Sequence, residues 1–356
     1  MKGLILQMKI IIDVMGGDNA PDEILKGAFD AANEYGVELV LVGDETQIKR
    51  VASMCSFDLA DHCVVHTDVV VNMDDDPMVV LHAKKESSLC RGLRMLAAGE
   101  GDAFVSAANT GALFTAASLI VRKIPGIQRA AIASILPMTP PVLLLDSGAN
   151  VSVTDVYLEQ FAVMGSAYMK NVHAIESPRV GLLNNGTEES KGTQLQMDTY
   201  KRLRENRDIN FVGNVEANNI PFDACDVLVA DGFTGNIALK SIEGMGKMML
   251  KTLKDCFYTN MRTKAAAVLI NEEIQNIKKN FDPSEYGGAP LLGLRKPVIK
   301  AHGSSKAKAI KNAIRQARNC ANVDVSEKIS CEINKLAAEN RSKAEAAQSE
   351  TAEVTK

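Results

Sequence analysis

The sequence contains no tryptophan, and only 4% of its 356 residues are aromatic. Surfaces that bind single-stranded nucleic acid usually stack the bases on aromatic side chains. The formal net charge is −4, so the chain has no overall basic excess with which to bind a phosphate backbone. These two deficits argue against nucleic acid as a principal partner.

Signatures of membranes, secretion and metals are also lacking. No run approaches the roughly 18 apolar residues of a membrane-spanning helix, and the start of the chain does not have the layout of a signal peptide. None of the seven cysteines forms a C-x-x-C pair, so we expect reduced thiols in a cytoplasmic protein. His62 and His66 lie four residues apart, but Val64 and Val65 between them indicate a strand, so we predict no metal site.

Three common nucleotide and hydrolase motifs are missing. No G-x-G-x-x-G follows a predicted strand, and no G-x-x-x-x-G-K-[ST] occurs. The G-x-S-x-G nucleophile elbow is absent as well. These absences argue against a dinucleotide-binding enzyme, a P-loop enzyme and an α/β-hydrolase.

Apolar runs of strand length alternate with helical patterns along most of the chain, and 46% of the residues are hydrophobic. This alternation predicts an α/β fold with buried parallel strands, and the length suits one large domain or two modest ones. Residues 339–356 are rich in Ala, Glu, Ser and Lys without apolar periodicity, so we predict a disordered tail there.

The alternation of strands and helices stops between residues 244 and 286, where we predict an inserted helical hairpin. Its first helix interleaves Met248 and Met249 with Lys247 and Lys251. One interpretation is a helical pair that packs on a second copy of the chain or on the core. The other is a basic amphipathic surface that contacts a membrane or an acidic carrier.

One strand end has the features of an anion-binding site. Residues 179–183 form an apolar strand, and residues 184–186 (Asn-Asn-Gly) tolerate a tight turn. Thr187 or Ser190 would then cap a helix that begins near Lys191. A turn, a helix start and a lysine at one point suit the binding of an oxyanion or a phosphate.

Three other apolar strands, at residues 103–106, 142–146 and 227–231, also end in small or polar residues, and Gly16 and Gly17 follow the first strand. Because ligands bind at the carboxyl ends of the strands in open α/β sheets, these ends predict one shared site. Its candidate polar groups are Asn109, Asp146, Asn150, Asn184, Lys191, Asp231, Asn236 and His302.

This set offers hydrogen-bond donors, carboxylates and one lysine, but no serine or cysteine with an activating base. Such a site suits a reaction whose nucleophile arrives as a substrate. Inorganic phosphate, held by Lys191 and backbone N–H groups, would attack a thioester while Asn236 or Asn109 donates to the tetrahedral oxygen. A thiol has a pKa of about 8.5, so its thiolate leaves without much help from an acid.

Eight motifs in order are similar to those of the bacterial phosphate acyltransferases of phospholipid synthesis, the PlsX family. The resemblance covers about residues 8–338. The motifs are Asp13–Pro21, Ser106–Ala112, Leu145–Asn150, Gly181–Gly192, Gly213–Glu216, Asp231–Asn236, Gly287–Gly293 and His302–Ser305.

The resemblance implies that inorganic phosphate directly attacks long-chain acyl-[acyl carrier protein], releasing acyl phosphate and the carrier protein. This is the first step toward phosphatidic acid, and a membrane glycerol-3-phosphate acyltransferase would use the product. The resemblance also implies a single three-layer α/β/α domain over residues 8–338, with a mostly parallel sheet, like that of isopropylmalate dehydrogenases and phosphotransacetylases. It further implies a homodimer, and neither metal nor organic cofactor. By the same analogy, the inserted hairpin would make a peripheral membrane contact.

For the site, we predict that Lys191 anchors phosphate and that Asn236 donates to phosphate or to the oxyanion. Asp231 and His302 would orient groups or relay a proton. Further residues predicted to bind substrate or phosphate are Gly16, Gly17, Asp18, Asn109, Thr110, Gly111, Asn150, Asn184, Gly186 and Gly235.

Three alternatives stay open at this point. A phosphotransacetylase-like enzyme would use short-chain acyl-CoA and need a nucleotide pocket. An NAD-dependent dehydrogenase on the related fold would need acidic metal ligands, for which no motif is present. A non-catalytic membrane scaffold would bind lipid through residues 244–286 without turnover.

The family pattern is altered at Ala108, Asn185, Ala217 and Arg295-Lys296. These departures change turns rather than the predicted reactive groups.

Overall fold

A computed structural model describes residues 7–280 and 282–354. Its centre is one sheet of eleven strands. The strands are β1 (Lys9–Asp13), β2 (Glu38–Gly43), β3 (Cys63–His66), β4 (Ala103–Ser106), β5 (Ala131–Leu136), β6 (Val142–Leu145), β7 (Arg179–Asn184), β8 (Asn210–Glu216), β9 (Val227–Val229), β10 (Ala289–Leu292) and β11 (Val298–Lys300).

Twelve α-helices lie in the described part of the chain, with 3₁₀ helices at Pro77–Leu81 and Ala217–Phe222. The α-helices are α1 (Asp22–Tyr35), α2 (Glu45–Met54), α3 (Ser88–Ala98), α4 (Thr110–Ile120), α5 (Asp155–Val172), α6 (Gln194–Glu205), α7 (Gly232–Phe257), α8 (Met261–Leu269), α9 (Asn271–Asn280), α10 (Pro283–Tyr286), α11 (Ala307–Asn322) and α12 (Val325–Val354).

The helices form one layer on each face of the sheet. The strand β1 reads Lys-Ile-Ile-Ile-Asp, and its three isoleucines are fully buried because both faces of the sheet are covered. Ile10 and Ile12 pack in a cluster with side chains of α1, α5, α11 and α12. Ile11 packs on the other face with side chains of α3 and α4, and the apolar underside of α7 covers a third cluster over β6 and β9. The predicted three-layer α/β/α architecture is therefore confirmed.

The order of the strands is β3-β2-β1-β4-β11-β10-β5-β6-β9-β7-β8. Neighbours from β3 to β11 are parallel, and so are those from β6 to β8. Between these halves, the pairs β11/β10, β10/β5 and β5/β6 are all antiparallel. Three reversals make the two parallel halves run in opposite directions.

This topology corrects the prediction of a single shared strand edge. The strands β4 and β11 end at one edge of the sheet, whereas β6, β7 and β9 end at the opposite edge. Three of the four central strands are short, however: β6 and β10 have four residues and β11 has three. At about 3.3 Å per residue the two edges are only ~10–14 Å apart there, so groups from both edges can reach one central cavity.

The predicted insertion corresponds to the second half of α7 together with α8, α9 and α10. The helix α8 buries none of its side chains. Tyr258 and Met261 are exposed where α7 joins α8, and Val268 and Leu269 are exposed at the other end of α8. No helix in the described part of the chain is both long and apolar enough to cross a bilayer.

The C-terminal segment differs from its prediction. Residues 339–354 continue α12 rather than forming a disordered tail; residues 355 and 356 lie outside the described residues. Ala, Glu and Lys are strong helix formers, so this segment can extend a helix that is already anchored by Ile329 and Ile333. Because residues 339–354 have no apolar periodicity, this part of the helix has no apolar stripe of the kind that packs on a core.

Candidate active site

A central cavity of about 490 Å³ lies where the strand direction reverses, between the start of α4 and the underside of α7. Both halves of the sheet contribute to it: Thr110 follows β4, Ser147 follows β6, Lys300 ends β11, and His302 lies two residues beyond it. Its polar lining residues are Thr110, Ser134, Ser147, Asn236, Lys240, Glu243, Lys247, Lys300 and His302.

Lys300 is the buried cation of this cavity, with only 8% of the residue exposed. It is the one buried lysine or arginine in the described part of the chain. Its Nζ donates a hydrogen bond to the carbonyl of Ala301. Burial lowers the pKa of Lys300 to about 8, against the opposing influence of Asp18 and Asp13. A partly desolvated ammonium that faces a cavity is well suited to bind an anion.

Sequence analysis missed Lys300, although a signal was present. The residue ends an otherwise apolar strand, Val298–Lys300, two positions before His302. Lysine is almost never fully buried unless it has a partner or a function. A single charge inside a strand that is buried on both faces was therefore the informative feature.

His302 and Asn236, which are distant in sequence, both line this cavity. Nδ1 of His302 lies 2.9 Å from Oγ of Ser304 and accepts from the Ser304 N–H at 3.3 Å. Both contacts with Ser304 use Nδ1 and orient the imidazole ring, so Nε2 is the ring nitrogen that remains for a substrate. Asn236 is half-buried in the first turn of α7 and also lines the cavity.

Asp231 caps α7 and does not line the cavity. Its carboxylate accepts from the N–H groups of Phe233 and Thr234 and from the Thr234 hydroxyl, at 2.6–3.0 Å. A capping carboxylate fixes the first turn of a helix. Asp231 therefore positions Asn236.

Asp146 and Asn150 organise the turn after β6. The Asp146 carboxylate is fully buried and accepts from the N–H groups of Ile132, Gly148 and Ala149, and from both the backbone and the side chain of Asn150. Asn150 also donates to the Ala130 carbonyl. Because their polar groups bond to several groups within the protein, Asp146 and Asn150 hold the turn after β6 in place.

The turn after β1 packs against the end of β11. The Asp18 N–H donates to the Gly303 carbonyl at 2.8 Å. Gly17 has φ +108°, and a Cβ on it would lie 2.9 Å from Cβ of Ala107. Gly16 is equally close to Ala108. These glycines bring the turn close to the cavity, where Asp18 acts on Lys300 through its charge.

Asn109 caps α4 through the Ala112 N–H and donates to the Met73 carbonyl. Both ends of its amide are therefore used within the protein. Gly111 packs against Pro77. Of the predicted residues 109–111, only Thr110 lines the cavity.

Lys191, Asn184 and Gly186 do not line the central cavity. Asn184 donates to the Lys191 carbonyl and accepts from the Asn185 N–H. The helix α6 begins at Gln194, after the capping residue Thr193, rather than near Lys191 with Thr187 or Ser190 as the cap. Thr193 and Gln196 form a capping box that outcompetes the earlier candidates.

The family model described as "Fatty acid synthesis protein" matches residues 8–328. The chain belongs to this family. A relative named phosphate acyltransferase from Caldanaerobacter subterraneus subsp. tengcongensis is 45% identical over 328 residues, covering 92% of this chain and 97% of the relative. A phosphate acyltransferase from Thermoanaerobacterium thermosaccharolyticum is 44% identical with the same coverage. The resemblance seen in the motifs is confirmed, and the chain is an acyltransferase enzyme.

Solved structures confirm the fold at much lower sequence identity. A phosphotransacetylase from Streptococcus pyogenes has a TM-score of 0.60 and 17% identity, over 90% of this chain and 94% of that one. A branched-chain phosphotransacylase from Enterococcus faecalis has a TM-score of 0.50 and 12% identity, over 88% and 99%. A 4-hydroxythreonine-4-phosphate dehydrogenase from Klebsiella pneumoniae has the same TM-score and identity, over 88% and 98%.

Proposed function

We propose that this enzyme makes acyl phosphate from long-chain acyl-[acyl carrier protein] and inorganic phosphate. The observation that carries the proposal is the central cavity, in which the buried Lys300 lies with His302 and Asn236. None of its described lining residues is a cysteine. Ser147 bonds to Ser134 and to the Ile132 carbonyl, so it is not held by a base as a nucleophile would be.

The reaction follows from these groups. Lys300 binds the phosphate dianion, and a phosphate oxygen attacks the thioester carbonyl carbon. Asn236 donates to the oxygen of the tetrahedral intermediate. The C–S bond then breaks, and His302 supplies a proton to the departing thiolate. The proton that phosphate loses on becoming acyl phosphate restores His302. Lys191 stays a rival phosphate anchor, predicted from the sequence and lying outside this cavity.

A stripe of lysines on α7 supports the proposal that the acyl donor is a protein. Lys240, Lys247, Lys251 and Lys254 are spaced seven, four and three residues apart, so they lie close to one line along the helix. All four are exposed, and the line starts at Asn236 and continues for about 27 Å at 1.5 Å per residue. An acidic carrier protein can cover that length, whereas the phosphates of a coenzyme A molecule would meet only part of it.

Charge reversal tests this docking surface. The double variant Lys251→Glu and Lys254→Glu is expected to raise KM for the acyl-carrier-protein donor about tenfold, because two attractive contacts become repulsive. KM for phosphate should stay unchanged, since neither residue lines the cavity. Lys278→Glu with Lys279→Glu on α9 is the matched control. If the two double variants raised KM for the acyl-carrier-protein donor equally, the lysine stripe on α7 would not be the docking surface.

A hydroxylamine trap for acyl phosphate tests the reaction itself. The purified protein receives phosphate and either palmitoyl-[acyl carrier protein], palmitoyl-CoA or acetyl-CoA. Phosphate-dependent hydroxamate from the carrier-protein donor is the expected result. Product from acetyl-CoA alone would identify a phosphotransacetylase-like enzyme. A folded protein that gives no product from any donor would overturn the proposal.

The pKa of Lys300 predicts a pH dependence. The ammonium form binds phosphate, and its fraction in the free enzyme falls as the pH rises through about 8. The value of kcat/KM for phosphate is therefore expected to fall above that pH, since this parameter reports the free enzyme. Asp18→Asn removes a charge that raises the pKa of Lys300, so it should move the fall to lower pH. Lys300→Arg, which stays charged, should abolish the fall if it folds.

The partners that remain are proposals as well. Tyr258, Met261, Val268 and Leu269 are exposed at the two ends of α8, and exposed apolar side chains of this kind suit contact with a second copy of the chain or with a membrane surface. Peripheral attachment to a membrane would deliver acyl phosphate to a membrane glycerol-3-phosphate acyltransferase. Flotation with anionic lipid vesicles tests attachment, and sedimentation at varied protein concentration tests the homodimer.

A further inference from the structure

A large apolar groove lies on the other side of α7 from the lysine stripe. Its volume is about 1070 Å³. One wall is the apolar side of α7, and the opposite wall is formed by the end of β7 and the 3₁₀ helix Ala217–Phe222. Ile237, Met245, Met248 and Met249 are each at least half exposed along it, which is unusual for large apolar side chains in a row.

The groove adjoins the central cavity. Ile242 and Gly246 line both. Pro137 lines the cavity, and its neighbour Met138 lines the groove. Gly246 is buried and has no side chain, so at this position no side chain of α7 projects between the groove and the cavity, and we call this position the passage.

We infer that this groove binds the hydrocarbon chain of the acyl donor, beyond the first carbons that the cavity holds. The inference rests on the proposed function, because it needs an acyl thioester in the central cavity. The cavity must also accommodate phosphate and the thiol arm, so a long chain must leave it, and the passage at Gly246 is an apolar exit.

The dimensions and chemistry of the groove fit this occupant. Its lining runs from Thr234 to Met249 along α7, about 22 Å at 1.5 Å per residue, which suits a long chain and leaves an acetyl group without contact. Methionine side chains are flexible and polarizable, so they adapt to a slender chain of variable length.

Met245→Trp tests the groove with little risk to folding, since Met245 is 60% exposed. The indole would fill the groove next to the passage. We expect kcat/KM for palmitoyl-[acyl carrier protein] to fall at least about tenfold, while the octanoyl donor changes less than about threefold. Thr252→Trp is the matched control, because it is exposed on the same helix and does not line the groove. It should leave the ratio of the two donors unchanged.

The binding of cis-parinaric acid, followed by its fluorescence, gives a readout that does not depend on turnover. Binding by the wild type that is lost in Met245→Trp and kept in Thr252→Trp supports the groove even if no donor gives acyl phosphate. That pattern without turnover would overturn the proposed reaction alone. Turnover with an unchanged donor ratio in Met245→Trp and unchanged probe binding would overturn the groove alone. Equal loss for all donors with a changed oligomeric state would show that the groove is a contact between copies of the chain, and would also overturn it.

Discussion

Replacement of Lys300 by methionine is expected to lower kcat/KM for phosphate about 10²–10³-fold, the loss typical when one preorganised charge-stabilising donor is removed. The variant removes the one buried lysine or arginine of the described chain and keeps most of the apolar volume of the side chain. Stability should change little or rise, because an ammonium without an ion pair is costly to bury. Steady-state kinetics at saturating donor and urea unfolding measure the two effects.

Lys191→Met is the comparison variant for Lys300→Met. Lys191 is exposed, so its replacement should alter neither folding nor, on the proposed mechanism, the KM for phosphate by more than about threefold. The opposite pattern, with loss of phosphate affinity in Lys191→Met and near-normal kinetics in Lys300→Met, would restore the anchor predicted from the sequence. It would also mean that the cavity geometry changes when substrates bind.

Gly235→Ala is expected to lower the free energy of unfolding by about 3 kcal/mol, at the upper end of the cost of overpacking a well-packed site. A Cβ on Gly235 would overlap the carbonyl oxygen of Asp146. That backbone cannot move freely, because the Asp146 carboxylate is bonded to five N–H groups of its own turn and of β5. The first turn of α7 must shift instead and displace Asn236, so kcat should fall as well. Gly235 thus fixes the approach of α7.

Gly244→Ala is the control for this prediction. Gly244 belongs to the same helix, and a Cβ there would meet nothing within 4 Å. Alanine in a helix interior is about 1 kcal/mol more favourable than glycine, so this variant should unfold at equal or higher urea concentration. If the two variants lost stability equally, the close contact at Asp146 would not be the cause.

The sequence by itself determined the elements and the family. Runs such as Ile10–Ile12 and Val142–Leu145 are apolar enough that only buried strands suit them, and local turn chemistry marks where they end. The motif Asp231–Asn236 also predicts its own local structure. The Asp231 carboxylate lies three residues before the Thr234 N–H, which is the spacing of a helix N-cap. These features depend only on residues close together in the chain, so the sequence is enough to predict them.

Only the tertiary structure decided which of these strand ends meet. Three antiparallel pairings, β11/β10, β10/β5 and β5/β6, together reverse the direction of half the sheet. One of them, the pairing of β10 with β5, joins residues 291–292 to residues 131–132. No local pattern specifies a pairing across more than 150 residues, because its energy comes from packing both faces at once. That reversal takes Lys191 away from the cavity and leaves Lys300 inside it, since β11 lies beside the junction whereas β7 lies three strands away from β5.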